Sequence, residues 1–439
     1  MTRSSALSVD DPAEPPSRAR RLFIREAGRG LVLAGAGGAA ATASSGAHSQ
    51  ALPPAEAPAA MRLRKDFAPT EREGADPPAP APPSERVGFA VVGLGRLALE
   101  EILPALSECR HARLAALVSG TPDKLRAVAQ RYGVPAERCY DYRGFDALRD
   151  APDVQVVYVV LPNSMHREFA ERAAAAGKHV LTEKPMATSV ADCDAMIAAC
   201  ARARRTLMVA YRMQYEPLNR EAVRLARSGE LGRIRTFTAE NTQTQGAPDQ
   251  WRLKRALAGG GSLPDIGIYC LNAARYVTGE EPIDVSGHVW STPGDARFAE
   301  VEEACAFVLR FPSGVLASCQ TSYAAHTSKR LRIGLDAGWI DLDPAFAYRG
   351  LRLRVARKAD ERTEQVAERQ LEQKNQFALE MDHMARCVVA GVRPRTPGEE
   401  GRQDQRLMEA IYESARSGRP VKLAAAAGLD STRGAAPTD

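Results

Sequence analysis

Hydrophobic residues first gather into a repeating order at Val87–Val92, an unbroken apolar run of the kind buried on both faces of a parallel sheet. A helical pattern follows through Leu97, Ile102, Leu103 and Leu106. Further apolar runs lie at Leu114–Val118 and Val154–Leu161, then a helix over about Arg167–Ala176 and a strand at His179–Thr182. Strands alternating with helices predict a parallel sheet covered by helices. Beyond Arg212 the pattern changes. A helix around Asn219–Ser228 leads to extended runs at Ile234–Glu240, Val285–Trp290, Ala304–Phe311, Val315–Ser322 and Leu331–Gly334, which predict a large, mostly antiparallel sheet. One more helix is predicted from about Leu263 to Tyr276, and others after Gln376. The fold class is α/β in the first part, joined to an α+β second part, with no internal repeat.

The first strand enters Gly93-Leu94-Gly95-Arg96-Leu97-Ala98, a Gly-x-Gly-x-x-Ala turn that opens a helix. In that order, strand, glycines and helix form a Rossmann dinucleotide-binding fingerprint. Gly93 permits the tight turn, Gly95 lets the backbone approach a pyrophosphate, and Ala98 allows close helix–strand packing. Free N–H groups at the helix start face the phosphates. Sites for NAD usually carry Asp or Glu about 20 residues past the glycines, to bond the ribose 2′-hydroxyl. Here Ser119-Gly120-Thr121 stands instead, with Lys124 and Arg126 close behind, which suits a 2′-phosphate and favours NADP over NAD.

Two further segments carry chemistry. Lys184, in Thr182-Glu183-Lys184-Pro185, ends a strand, and ligands of open α/β sheets bind beyond the carboxyl ends of strands. A lysine there can bond a substrate hydroxyl and lower its pKa, although an exposed loop lysine would read the same way. Gly259-Gly260-Gly261-Ser262 opens the helix at Leu263, with Ser262 as the expected N-cap and Pro264 in the first turn. Asp265 and Tyr269 are four residues apart and share a face, with Asn272 one turn on. A carboxylate and a phenol facing a glycine-opened cleft suit proton transfer with a sugar hydroxyl.

The 439 residues allow more than one domain. The net charge of +5 calls for neither nucleic acid nor an anionic membrane. Arg20-Arg21-Leu22-Phe23-Ile24-Arg25 is a twin-arginine pattern, followed by a weakly apolar stretch, Gly30–Ala43, and small-residue cleavage options at Ala47, Ser49 and Ala51. Residues 1–51 are therefore expected to be a signal peptide read by the twin-arginine export machinery, with the mature protein in the periplasm and without a permanent membrane span. Export by that route moves folded protein, so the cofactor would be loaded beforehand. Residues 52–85 are rich in Pro and Ala and predict an extended arm. The dinucleotide domain is expected at 86–212, the second domain at 213–422 and a disordered tail at 423–439. Eight cysteines without a C-x-x-C pair predict buried thiols, and seven histidines without H-E-x-x-H spacing predict no metal.

Taken together, Val91-Val92-Gly93-Leu94-Gly95, Leu161-Pro162-Asn163-Ser164, Thr182-Glu183-Lys184-Pro185 and Gly259–Tyr269 resemble the glucose–fructose oxidoreductase/inositol dehydrogenase/rhizopine-catabolism family. The likeness runs from about Val87 to Val421. Many relatives carry His where this chain has Tyr269. The resemblance implies that Tyr269 is the general acid/base, that Lys184 assists it, and that Asp265 orients the substrate. Gly93, Leu94 and Gly95 would hold the pyrophosphate, and Ser119, Gly120 and Lys124 the 2′-phosphate. Tyr142, Asn163, His166, Glu183 and Arg212 would line the nicotinamide side, with Trp251, Arg252 and Tyr348 reaching the cofactor from the second domain. The loop Gln214-Tyr215-Glu216 and the segment Leu351–Glu372 depart from the family pattern, which bears on sugar specificity.

The activity implied is a ping-pong exchange on tightly bound NADP. An aldose such as glucose is oxidised to its lactone, and a ketose such as fructose is reduced to an alditol such as sorbitol. A homo-oligomer, dimer or tetramer, is implied, with the arm clasping a neighbouring subunit. A conventional NADP-dependent sugar dehydrogenase that releases its cofactor is the alternative, and a non-catalytic sugar or nucleotide sensor is a third reading.

Overall fold

Six parallel strands form the first sheet: β1 (Val87–Val92), β2 (Ala112–Val118), β3 (Cys139–Tyr140), β4 (Val156–Val159), β5 (His179–Glu183) and β6 (Leu207–Ala210). Their order is β3-β2-β1-β4-β5-β6, the doubly wound arrangement in which strand order reverses between β1 and β4. Every residue of β1 is buried, because helices cover both faces. Gly93 ends β1 at φ +97°, and a Cβ there would lie 2.3 Å from the Val160 carbonyl oxygen, so only glycine fits this turn. The following helix begins as a π turn, Ala98–Ile102, and continues as α1 (Leu103–Glu108). The remaining helices of this half are α2 (Pro122–Tyr132), α3 (His166–Ala175) and α4 (Val190–Ala203).

This computed structural model describes residues 85–424 together with Pro82 and Arg433. The expected signal peptide, nearly all of the arm and most of the tail therefore lie outside the described residues.

The chain leaves the first sheet through Arg212–Gln214 and enters α5 (Pro217–Arg227). A nine-stranded sheet follows: β7 (Ile234–Thr242), β8 (Asp284–Trp290), β9 (Ala304–Arg310), β10 (Leu316–Ser322), β11 (Ser328–Leu335), β12 (Gly338–Leu342), β13 (Leu353–Lys358), β14 (Glu364–Arg369) and β15 (Val421–Lys422). Its order is β14-β13-β12-β11-β7-β10-β9-β8-β15. Every pairing is antiparallel except β7 with β10. Strands β12 to β15 are additions to the predicted set, and β13 and β14 lie within the segment Leu351–Glu372.

Residues of β9 and β10 alternate between buried and exposed, so one face is apolar. On it Phe237, Phe307, Leu309, Ala317, Leu331 and Ile333 join one core with Cys270, Leu271 and Ala274 of α7 (Ile268–Thr278), which follows the short α6 (Arg255–Ala258). The second part is not confined to its own sheet. Phe377, Met381 and Met384 of α8 (Gln376–Ala390) pack in the same core as Phe89, Val91, Tyr158 and Met208 of the dinucleotide half. Across the junction, Arg349 also pairs with Glu101 at 2.8 Å.

The last helix, α9 (Gly398–Ser417), brings Glu400 and Asp404 against Arg275 of α7, an ion-pair cluster without solvent exposure. Arg433, within the expected disordered tail, is buried there and donates to Glu400 at 3.0 Å. All eight cysteines are free thiols, seven of them buried. Among the described residues no helix is long and apolar enough to cross a membrane.

Candidate active site

A cleft of about 660 Å³ runs from the Gly93–Gly95 turn to Tyr269, between the carboxyl ends of β1, β2, β4, β5 and β6 and the second part of the chain. At one end Leu94 is buried, while a Cβ on Gly95 would meet nothing within 4 Å. That open backbone before a helix start is the geometry a pyrophosphate needs. At the end of β2, Ser119 is buried and its Oγ accepts from the Thr121 N–H at 3.2 Å. Lys124 lines the same end, whereas Arg126 pairs with Asp123 on the helix surface. No carboxylate stands at the end of β2 to bond a 2′-hydroxyl. The donor set thus fits a dinucleotide, with a hydroxyl and a cation at the 2′ position.

The other end holds the proton-transfer groups. Helical N–H groups near Leu263 need acceptors, and Ser262 was the expected cap. Its Oγ is instead buried with no partner among the described residues, and its backbone is already helical. Glu302, which precedes β9, takes the role: its carboxylate accepts from the Gly261 N–H at 2.8 Å and the Leu263 N–H at 2.9 Å. Gly261 is required because a Cβ would sit 2.0 Å from the Glu302 carbonyl oxygen. A π turn, Leu263–Gly267, then carries Asp265 into α7, where Tyr269 follows.

Asp265 is held by three donors. Arg252 Nε approaches its Oδ2 at 3.2 Å, the Tyr323 hydroxyl donates to Oδ2 at 2.8 Å, and Lys184 Nζ lies 3.5 Å from Oδ1. Burial would raise this carboxyl, but the Arg252 and Lys184 cations outweigh it and hold it at about 2. Lys184 Nζ also donates to the Asp265 carbonyl at 2.7 Å and stands 4.7 Å from the centre of the Tyr269 ring. Arg212 faces that ring from 4.8 Å and also stacks on Tyr348 at 4.6 Å, while Phe346 packs beside the phenol at 5.9 Å. Two cations thus face one phenol ring inside the cleft.

The structure brings most of the predicted site residues together and moves some. Asn163, Glu183, Lys184, Arg212, Trp251, Arg252, Asp265, Tyr269 and Tyr348 all line the cleft. Asn163 spends its amide on the Ala258 carbonyl at 2.8 Å, and Glu183 accepts from the buried Tyr158 hydroxyl at 2.7 Å. Arg252 stacks on Trp251 at 4.5 Å. Tyr142 also lines the cleft, its ring pressed on Gly120, where a Cβ would lie 2.7 Å from it. One expectation is corrected. His166 is fully buried behind the wall, its ring nitrogens facing the Pro185 carbonyl at 3.0 Å and the Leu161 carbonyl at 2.8 Å. It braces the two loops that carry Asn163 and Lys184, and burial lowers its pKa. Glu302 and Tyr323 went unseen because neither has a local motif; each acts through contacts far away in sequence.

The model of the oxidoreductase family with the NAD-binding Rossmann fold matches residues 87–211, and that of the GFO/IDH/MocA C-terminal domain matches 219–341. The chain belongs to the GFO/IDH/MocA oxidoreductase family. Among curated relatives, D-xylose 1-dehydrogenase (NADP(+)) of Haloarcula marismortui is 33% identical over 345 residues, covering 77% of this chain and 93% of the relative. A crystal structure of aldose-aldose oxidoreductase from Caulobacter crescentus, complexed with glycerol, is 49% identical with a TM-score of 0.74, covering 77% of this chain and all of that one. A mutant 3-ketoreductase from Actinomadura kijaniata, in complex with NADP and TDP-benzene, is 25% identical with a TM-score of 0.67, covering 75% of this chain and 98% of its own. The GFO/IDH/MocA dinucleotide half coincides with β1–β6, and its C-terminal domain with β7 to β12 and the helix bearing Tyr269.

Proposed function

We propose that the protein is an NADP-dependent sugar oxidoreductase that oxidises an aldose at C1 and passes the hydride to a second sugar without releasing its cofactor. The carrying observation is Tyr269, a phenol flanked by Lys184 and Arg212 inside the dinucleotide cleft. Gly93–Gly95, Ser119 and Lys124 would hold NADP, which would supply the hydride acceptor and then the donor. Tyr269 takes the proton of the C1 hydroxyl as the C1–H bond breaks, leaving a lactone. Lys184 holds the sugar oxygen and keeps positive charge beside the Tyr269 ring. Asp265, ionised and tied to Lys184 and Arg252, fixes both cations. In the second half-reaction Tyr269 returns the proton to the carbonyl oxygen of the acceptor sugar, giving an alditol.

The aldose-aldose oxidoreductase likeness supports an aldose as acceptor alongside a ketose such as fructose, so glucose–fructose and glucose–aldose pairs are both assayed. The twin-arginine pattern at Arg20-Arg21 supports a periplasmic enzyme, for which a captive cofactor removes dependence on the cytoplasmic pool. The outer face of the nine-stranded sheet, with Trp290, Val308 and Leu316 exposed, is the surface offered to a second copy.

The deciding test incubates purified protein with paired sugars and no added nucleotide. Lactone and alditol in equal amounts, with one NADP(H) per chain, support the exchange. Turnover only after NADP is added, with no nucleotide on the purified protein, supports a conventional dehydrogenase, the reading favoured by the likeness to D-xylose 1-dehydrogenase.

A further inference from the structure

Lys329 lies in β11, directly across from Asn241 of β7. Strand alternation puts it on the inner face with Leu331 and Ile333, both fully buried. A lysine in that row needs a reason, because this face otherwise builds the core. Its surroundings are those of the catalytic groups. Asn241 donates to the Ile266 carbonyl at 3.0 Å, beside Asp265, and its Oδ1 is buried with no partner among the described residues. The Lys329 carbonyl accepts from Ala345 N–H, immediately before Phe346, which packs on Tyr269 and accepts from Arg212 at 2.8 Å. Lys329 is thus anchored between the Asp265 turn and the support of the phenol.

Its ammonium is half-buried, yet among the described residues no hydrogen bond or ion pair engages it. Burial lowers its pKa, the Arg212 cation lowers it further, Asp265 opposes them, and Lys184 adds to the lowering; all three charged groups line the cleft. The nearby carboxylate, Asp265, is already committed to Arg252, Lys184 and Tyr323. An inward, half-buried ammonium that the described residues leave without a hydrogen bond can donate to a ligand.

We propose that Lys329 is a substrate-binding residue, donating to an oxygen of the sugar on a carbon remote from the one that loses hydride, and thereby setting which sugars the cleft accepts. This rests on the sugar oxidoreductase reading above. A hydroxyl and a carboxylate would both serve as that oxygen, and a uronate assayed beside the neutral aldose separates them. A uronate with the higher kcat/KM in wild type only points to the carboxylate, whereas the reverse points to the hydroxyl.

The test compares wild type, Lys329→Met and Lys329→Arg on glucose and on deoxyglucoses lacking one hydroxyl at a time, with NADP binding and Tm measured alongside. Lys329→Met should raise KM at least tenfold with NADP binding unchanged, and Lys329→Arg should recover part of the loss. One deoxyglucose, or the uronate, should lose most of its difference between wild type and Lys329→Met. If the Met variant binds NADP, melts like wild type and keeps its KM for every sugar, the role of Lys329 is overturned while the oxidoreductase reading stands. If wild type turns over no sugar, both are overturned.

Discussion

Lys184 donates its ammonium proton to the main-chain carbonyl of Asp265 at 2.7 Å, joining the end of a Rossmann strand to the helix that carries the phenol. The bond makes one side chain responsible both for charge at the reacting atoms and for the fit between the two halves of the cleft. Replacing Lys184 by Met should therefore cost at least about 100-fold in kcat, since both proton transfer and positioning suffer. Steady-state kinetics with NADP occupancy measured in parallel checks this; the nucleotide should stay bound.

Tyr269→Phe removes one oxygen and leaves the ring stacked between Lys184, Arg212 and Phe346. Fold and NADP binding should persist, and turnover should fall by about 100- to 10,000-fold. Retained activity would move the acid/base elsewhere.

Asp265 gives a pH prediction. Its folded value of about 2 lies below an unfolded value of about 3.9. A depressed carboxyl contributes stability that is present above the unfolded value and lost as pH falls through the folded one. Wild type should accordingly lose stability between about pH 4 and pH 2 more steeply than Asp265→Asn, in which that group no longer titrates. Acid-unfolding curves of the two proteins make the comparison.

Glu302 is a cap supplied from a distant part of the chain. Glu302→Ala should strand the N–H groups of Gly261 and Leu263 and the Tyr412 hydroxyl, which donates to Glu302 at 2.9 Å. The expected loss is about 1–3 kcal/mol in denaturant unfolding, with a drop in kcat because the turn before Asp265 loosens.

Ser119→Asp places a carboxylate where the 2′-phosphate is expected. NADP affinity should weaken at least tenfold and NAD affinity should improve, read by titrating cofactor fluorescence.

Local pattern carried a good deal of this molecule. The run Val87–Val92 is β1 residue for residue, and the Asp265–Tyr269 spacing does put both groups in one cleft, because each depends on neighbours in sequence. What escaped depends on distant partners. Ser262 has the chemistry of a cap, yet Glu302 arrives from forty residues away with two acceptors and displaces it. Strand β14 has every residue exposed, so it has no apolar rhythm to betray it. The resemblance implies a cofactor contact for His166, but the folded loops close around it and turn main-chain carbonyls toward both ring nitrogens. Lys329 was hidden for the opposite reason: a charged residue just before an apolar strand reads as its solvent-facing start.

Arg433 reaches an interior carboxylate, Glu400, on the helix packed beside the one that bears Tyr269. Glu400 also receives Arg275 of α7, so a single side chain knots two guanidinium groups together where no solvent reaches. Losing either cation would leave the acidic cluster only partly neutralised, and the backing of the catalytic helix would slacken with it.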